Sequence, residues 1–190
     1  MNKQKVNKFL QSFIAIPMLA IVIPTAGLGS LPAATTTLDK NTTIETSVIT
    51  AQEEVARKDK ADAIDAFFAS HDAPLEGYGM KFVLEAEKND LDWRLLPAIA
   101  MRESTGGKQA CKRVTNSVFG YGSCKISFKS IDESIEVVAA SLGGNNPNTA
   151  QHYDGKTTIQ ILKKYNSYIP SYSKQVVKIM KMIDDTDDVV

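Results

Sequence analysis

Glu103 is the one acid in the stretch LPAIAMRESTGGK, residues 96–108, where every other side chain apart from the basic residues is apolar or small. Leu96, Ile99 and Ala100 suggest a buried helix face, and Gly106-Gly107 stops the helix just beyond. A carboxylate on such a face is costly unless it is partnered or used. At a helix C-terminus it also meets the partial negative charge of the last carbonyls, so dipole and lost solvent both favour the protonated form. An acid that keeps its proton near neutral pH is a general acid. The plainer alternative is a structural carboxylate paired with Arg102 or another base.

Little else in the chain offers chemistry of another kind. The two histidines, His71 and His152, lie far from each other and from the cysteines, and there is no C-x-x-C, so neither a metal site nor a cofactor is expected. Cys111 and Cys124 are an even pair about a dozen residues apart; in an exported chain that favours a disulfide, worth ~3 kcal/mol by loop entropy. Residues 104–131 hold no Asp or Glu but do hold Lys108, Lys112, Arg113, Lys125 and Lys129. Such a basic segment either holds an anionic ligand or is a solvated surface. Phe119 and Tyr121 serve equally as core or as aromatic platforms for a ligand. Trp93, the only tryptophan, reads as core. Tyr165, Tyr168 and Tyr172 surround Pro170, and packing accounts for at least one of them.

Five or six helices must position these groups. EVARKDKADAIDAFFASHDAP puts Ile64, Phe67 and Phe68 on one face and closes at Pro74. EGYGMKFVLEAEKND follows, with Phe82, Val83 and Ala86. The Glu103 helix starts with Asp92 as N-cap, tolerates Pro97 near its first turn, and sets Trp93, Leu96, Ala100 and Glu103 on one stripe. Between Gly106 and Lys129 the periodicity is lost. β-prone pieces separated by Asn116, Gly120 and Gly122 predict a small hairpin lobe tied by the cysteines. Helices resume with Ser130 and Glu133 as a capping box, then Thr157 and Gln160 as a second, then an amphipathic helix after Pro170 through Val176, Ile179, Met180 and Ile183. The expected fold class is α+β, mainly helical, with one small β-hairpin lobe.

The ends bound the folded part. Lys3, Lys5 and Lys8 precede an apolar run from Phe9 to Ile23, and Pro24 and small residues follow: the order of a secretory signal peptide, residues 1–34. The run is short for a membrane span, although an uncleaved anchor is the alternative. A Thr-rich linker is expected over 35–54, a single folded domain over 55–184 and an acidic tail over 185–190. The chain has 22 basic and 22 acidic residues. The three leader lysines leave 19 against 22 in the exported part, so nothing argues for nucleic acid, and no stable protein partner is implied.

Four stretches in order resemble a known family. LDWRLLPAIAMRESTGGK is similar to the helix of lysozyme-like wall hydrolases that ends in a catalytic Glu followed by Ser. NSVFGYG resembles the Asn-x-Phe-Gly element of the bacterial endo-β-N-acetylglucosaminidase (mannosyl-glycoprotein endo-β-N-acetylglucosaminidase-like) family. FKSIDESIEVVAASL and YNSYIPSYSKQVVKIM resemble its next segment and its closing tyrosine-rich turn and helix. The resemblance covers about residues 75 to 184. It implies a lysozyme-like domain that cleaves β-1,4 bonds in the glycan strands of peptidoglycan, secreted or held in the cell envelope. Carried over, Glu103 is the general acid, and Ser104, Asn116, Phe119, Gly120 and Tyr121 bind the sugar. Tyr165 or Tyr172 matches the family's tyrosine in the last turn; Tyr165 is set with Glu103 as catalytic and Tyr172 with the binding residues. Family members usually carry a second acid in the β lobe. Here the nearest, Asp132, Glu133 and Glu136, lie beyond the lobe, and Glu133 is explained as a cap. A two-carboxylate mechanism needs its second group across the scissile bond, so a one-acid mechanism is expected. Lytic transglycosylation and non-catalytic wall binding are the alternatives.

Overall fold

Eight helical segments carry the chain from Lys40 to Asp184 in the computed structural model, which describes residues 40–185, with side chains from residue 50 onward. The expected signal peptide, the start of the linker and residues 186–190 lie outside the described residues. The segments are α1 (Lys40–Ser70), α2 (Gly79–Lys88), α3 (Leu95–Ser104), α4 (Tyr121–Cys124), α5 (Ile131–Leu142), α6 (Ala150–Tyr153), α7 (Thr158–Tyr165) and α8 (Tyr172–Asp184). Among the described residues no helix is long and apolar enough to cross a membrane.

α3 is the centre of the packing. Leu95, Leu96, Pro97, Ala98, Ile99 and Ala100 are buried in succession, so this helix is apolar all round rather than along the single stripe its sequence suggests. It packs against α8, and the pair is pinned at both ends. Arg94, the N-cap of α3, donates to Asp184 at the end of α8, while Glu103 at the other end meets Tyr172 at the start of α8. The helix begins three residues after Asp92. That residue still receives the Arg94 N–H on its side chain at 3.0 Å and the Leu95 N–H on its carbonyl at 2.9 Å, ordering the turn before the helix.

α1 and α2 lie side by side, joined by a turn in which Asp65 Oδ1 accepts the N–H groups of Gly77 and Gly79, each at 2.8 Å. Ile64, Phe67, Phe68, Leu75 and Phe82 fill the space between them and α3. Local signals behave as expected further on. Ser130 caps α5, although Glu133 reaches the Lys129 N–H rather than that of Ser130 itself. Thr157 and Gln160 form a complete capping box on α7.

Two expectations need correction. The Thr-rich stretch expected as a linker, and without helical periodicity in its sequence, is helical from Lys40, as the N-terminal half of α1. Residues 50–56 are exposed and meet no core, so this helix propagates from the buried turns that follow it rather than from its own apolar face. The β-hairpin lobe is not seen, and the described residues contain no strand. Residues 105–130 are instead a looped segment. Asn116, Gly120, Gly122, Ser123 and Cys124 all take positive φ, which breaks the extended backbone a ladder requires. What would be a hairpin is reduced to Phe128 N–H on Thr115 O at 3.1 Å, Thr115 N–H on Ser127 Oγ at 3.3 Å and the Asn116 and Thr115 side chains on the Phe128 carbonyl. The expected disulfide is present, between Cys111 and Cys124.

Gly106 sets where the Glu103 turn ends. Its φ is +63°, and a Cβ there would stand 2.5 Å from Ala73 Cβ and 3.1 Å from the Phe68 ring. The Gly106→Ala variant combines a left-handed non-glycine residue with that overlap, so it should lose roughly 2 kcal/mol or more of stability. Denaturant unfolding with an unchanged midpoint would show that the α3 turn does not depend on this close approach.

Candidate active site

Glu103 lies in the last turn of α3, half-buried, at one wall of a cleft of about 370 Å³. Its Oε1 accepts the phenolic hydrogen of Tyr172 at 2.7 Å. Its Oε2 has no hydrogen-bond partner among the described residues, and neither oxygen is in an ion pair. The structural pairing with Arg102 is absent: the Arg102 Nε donates to Gln175 Oε1 at 2.6 Å instead. The bland explanation of an acid at this position therefore loses its partner.

Two neighbours hold the Tyr172 ring. Tyr165 stacks on it with ring centroids 6.0 Å apart and planes 19° from parallel, and the Arg102 guanidinium carbon lies 5.9 Å from its centroid. Tyr172 is 1% exposed, so this stack excludes water from the back of Glu103. Tyr165 in turn donates to the Phe119 carbonyl at 2.7 Å. That bond ties α7 to the segment 119–123, which forms the opposite wall. Tyr121 holds the same segment from the other side, donating to Ser141 Oγ at 2.9 Å; Ser141 also accepts from Asn146 and donates to Val137 O. Gly120 sits at the closest approach to the acid. A Cβ on it would stand 3.4 Å from Glu103 Oε2, and its φ of +61° disfavours any side chain, so the free oxygen keeps open space in front of it.

The expected site residues divide. Glu103, Phe119, Gly120, Tyr121 and Tyr165 all border the cleft. Tyr172 stands behind it and reaches Glu103 by its hydroxyl. Phe119 is 1% exposed and packs edge-on against Phe82 at 6.4 Å, so its ring belongs to the core and presents no face to a sugar. Ser104 is buried: its hydroxyl donates to Ala100 O at 3.0 Å and accepts the Gly107 N–H at 2.9 Å, closing the C-terminus of α3 away from the cleft. Asn116 does not line the cleft either; its amide holds Phe128 O at 2.9 Å and its φ is +54°.

Sequence reading missed Tyr153, Asn166 and the cleft role of Tyr168. Tyr153 comes from a polar stretch without periodicity, and nothing local marks it. Tyr168 is 95% exposed, held at the cleft mouth by a turn in which Asn166 Oδ1 accepts the N–H groups of Tyr168 and Ile169, each at 3.2 Å. A tyrosine beside an Asx turn was the available signal. Glu103 is the one carboxylate among the residues lining the cleft. Comparison of the chain with family models, with curated proteins and with solved structures gives no match in any of the three.

Three phenols around the cleft are held protonated. Burial pushes Tyr153 up to about 12, with Tyr121 adding to it. Burial, then the Glu103 carboxylate, raise both Tyr165 and Tyr172 well above the ordinary value of 10.0. Above pH 10 the unfolded chain therefore releases these protons first, and the folded state loses stability as pH climbs. Melting temperature should fall steeply between about pH 10 and 12, and Tyr153→Phe should flatten part of that fall. An alkaline limb identical in wild type and variant would show that the Tyr153 phenol is not confined.

Proposed function

We propose that the protein is an exported peptidoglycan hydrolase of lysozyme-like architecture, cleaving β-1,4 glycosidic bonds of the glycan strand in the manner of endo-β-N-acetylglucosaminidases. The observation that carries this reading is the unpaired carboxyl of Glu103, with one oxygen held by Tyr172 and the other bordering an open, tyrosine-walled cleft. Tyrosine-lined clefts suit sugars, whose rings offer apolar faces and hydroxyl edges together. Export is supported by the leader-like residues 1–34 and by the Cys111–Cys124 bond, since disulfides persist in oxidising compartments.

Tyr172 spends its one proton on Oε1, so a proton carried by Glu103 belongs on Oε2. In the proposed step Oε2 gives that proton to the glycosidic oxygen as the bond to the anomeric carbon breaks. Without a second carboxylate in the cleft, the developing positive charge is met by the substrate's own N-acetyl oxygen or by a positioned water. A water then bonds to the anomeric carbon, displacing the N-acetyl oxygen where that has closed on it, and gives its proton to the carboxylate left on Glu103. Tyr165 acts through others in this scheme: it supports Tyr172 and the 119–123 wall, and its proton is engaged by Phe119 O, so the catalytic role expected of it becomes a positioning one.

The lone carboxylate equally suits lytic transglycosylation, in which the sugar's own hydroxyl closes on the anomeric carbon. Product mass separates the two, because hydrolysis adds one water and transglycosylation none. Purified cell walls incubated with the full chain should release soluble fragments, and Glu103→Gln should lower that release by about a hundredfold or more. Undiminished release by Glu103→Gln ends the proposal; binding without release by wild type makes the protein a wall-binding module. Tyr172→Phe leaves Oε1 without its donor and should lower kcat by roughly tenfold with KM little changed.

A further inference from the structure

Lys112, Arg113 and Lys125 line one concavity of about 430 Å³ beside the Cys111–Cys124 bridge. All three are exposed, and none has a carboxylate partner among the described residues. The absence is built into the segment: residues 104–131 contain no Asp or Glu, although the exported chain as a whole is slightly acidic. The bridge holds residues 111–113 against residues 123–125, so mutual repulsion of the three cations is not relieved by moving apart. A concavity of one sign of charge concentrates anions.

Its position says which anion. Ser123 lines both this concavity and the Glu103 cleft, so the two are neighbours along one surface. A β-1,4 glycan of N-acetylated sugars is uncharged along its backbone. The carboxylates of peptidoglycan sit on the short peptides that branch sideways from alternate sugars. A strand seated in the cleft presents its charge one branch away from the sugar, and Ser123 leads from the cleft to the basic concavity. We infer that Lys112, Arg113 and Lys125 form a peptide subsite, which binds the carboxylates of a stem peptide attached to the glycan in the cleft. The guanidinium of Arg113 offers the planar two-point contact a carboxylate takes, and the two lysines add charge without fixed geometry. Covalent attachment favours this occupant over a free anionic wall polymer, which has no reason to lie at branch distance from the acid. The inference rests on the glycan reading of the cleft and adds a preference: peptide-bearing glycan over bare glycan.

The test is a binding ratio that needs no turnover. Titration calorimetry of the full chain bearing Glu103→Gln compares a peptide-bearing tetrasaccharide from peptidoglycan with the same tetrasaccharide stripped of peptide and with its lactyl carboxyls capped as primary amides, so that the control carries no charge. The peptide-bearing form should bind roughly tenfold tighter at low salt, and the preference should shrink as salt is raised. Adding Lys112→Gln, Arg113→Gln and Lys125→Gln together should bring the ratio close to one. Neutralising three exposed lysines of α8 instead, Lys174, Lys178 and Lys181, should leave it intact. Equal binding of both sugars by the Glu103→Gln chain overturns the subsite, as does a preference that survives the triple substitution. So does tighter binding of glycerol phosphate polymer than of the peptide-bearing sugar, lost with the same three residues, which would assign the patch to wall polymer. Failure of the glycan reading shows separately, as no binding of the stripped tetrasaccharide and no wall release by the wild type.

Discussion

The hydrogen bond from Tyr172 to Glu103 joins the first residue of α8 to the penultimate residue of α3, 69 positions apart in the chain. It places a donor against one oxygen of a half-buried acid and leaves the other facing space. Much of the remaining structure bears on that bond. The apolar α3 has no polar face on which to rotate, so Glu103 is presented at one azimuth only. The Arg94–Asp184 contact at the far end of the same helix pair resists sliding of α3 along α8. Tyr165 and Arg102 both lie against the Tyr172 ring, so the donor cannot swing away without losing both contacts.

The opposite wall is held by different means. Residues 105–130 contribute Val118, Phe119 and Phe128 to the buried set and little regular backbone pairing. Such a segment cannot rely on a ladder for its shape. It is fixed at discrete points: the disulfide, the Phe119 ring in the core, the Tyr165 bond to the Phe119 carbonyl and the Tyr121 bond to Ser141. Two of those points are cleft tyrosines whose hydroxyl groups are engaged in support, which is why aromatic residues at a cleft wall are not all ligand contacts. Between the anchors, positive-φ backbone at Gly120 and Gly122 lets the chain pass close to the acid without placing a side chain in front of it.

What the sequence disclosed follows the range of each interaction. Caps are local, and Ser130 and Thr157 are found where their spacing puts them. The amphipathic α8 and the Gly106 stop behind Glu103 are legible for the same reason. The contacts that turn Glu103 into a site are long-range: Tyr172 at 69 residues, Tyr165 to Phe119 at 46. Nothing at position 172 alone distinguishes a donor to an acid from an ordinary core tyrosine. The hairpin expectation failed because Asn and Gly mark a turn equally well in a hairpin and in an irregular loop. The αL conformations of Ser123 and Cys124 have no signature in residue type. The Thr-rich start of α1 failed in the opposite sense: its residues are indifferent helix formers, and a helix nucleated downstream carries them.

An acid at position 103 has to be weighed against a glutamine of the same shape. Tyr172 requires only an acceptor, and an amide oxygen supplies one. Packing requires only the volume, and the two side chains are nearly equal in it. Among the described residues no cation forms an ion pair with Glu103, so charge neutralisation is not the reason either; Arg102, one residue away, turns to Gln175. What an amide lacks is a proton that leaves and returns at the free oxygen. The structure around Glu103 satisfies one oxygen, keeps bulk away from the other and brings no other carboxylate to the cleft. Those three conditions together suit proton transfer better than support, and under the proposed glycan-cleaving reading the basic concavity next door would serve to hold the substrate's anionic branch.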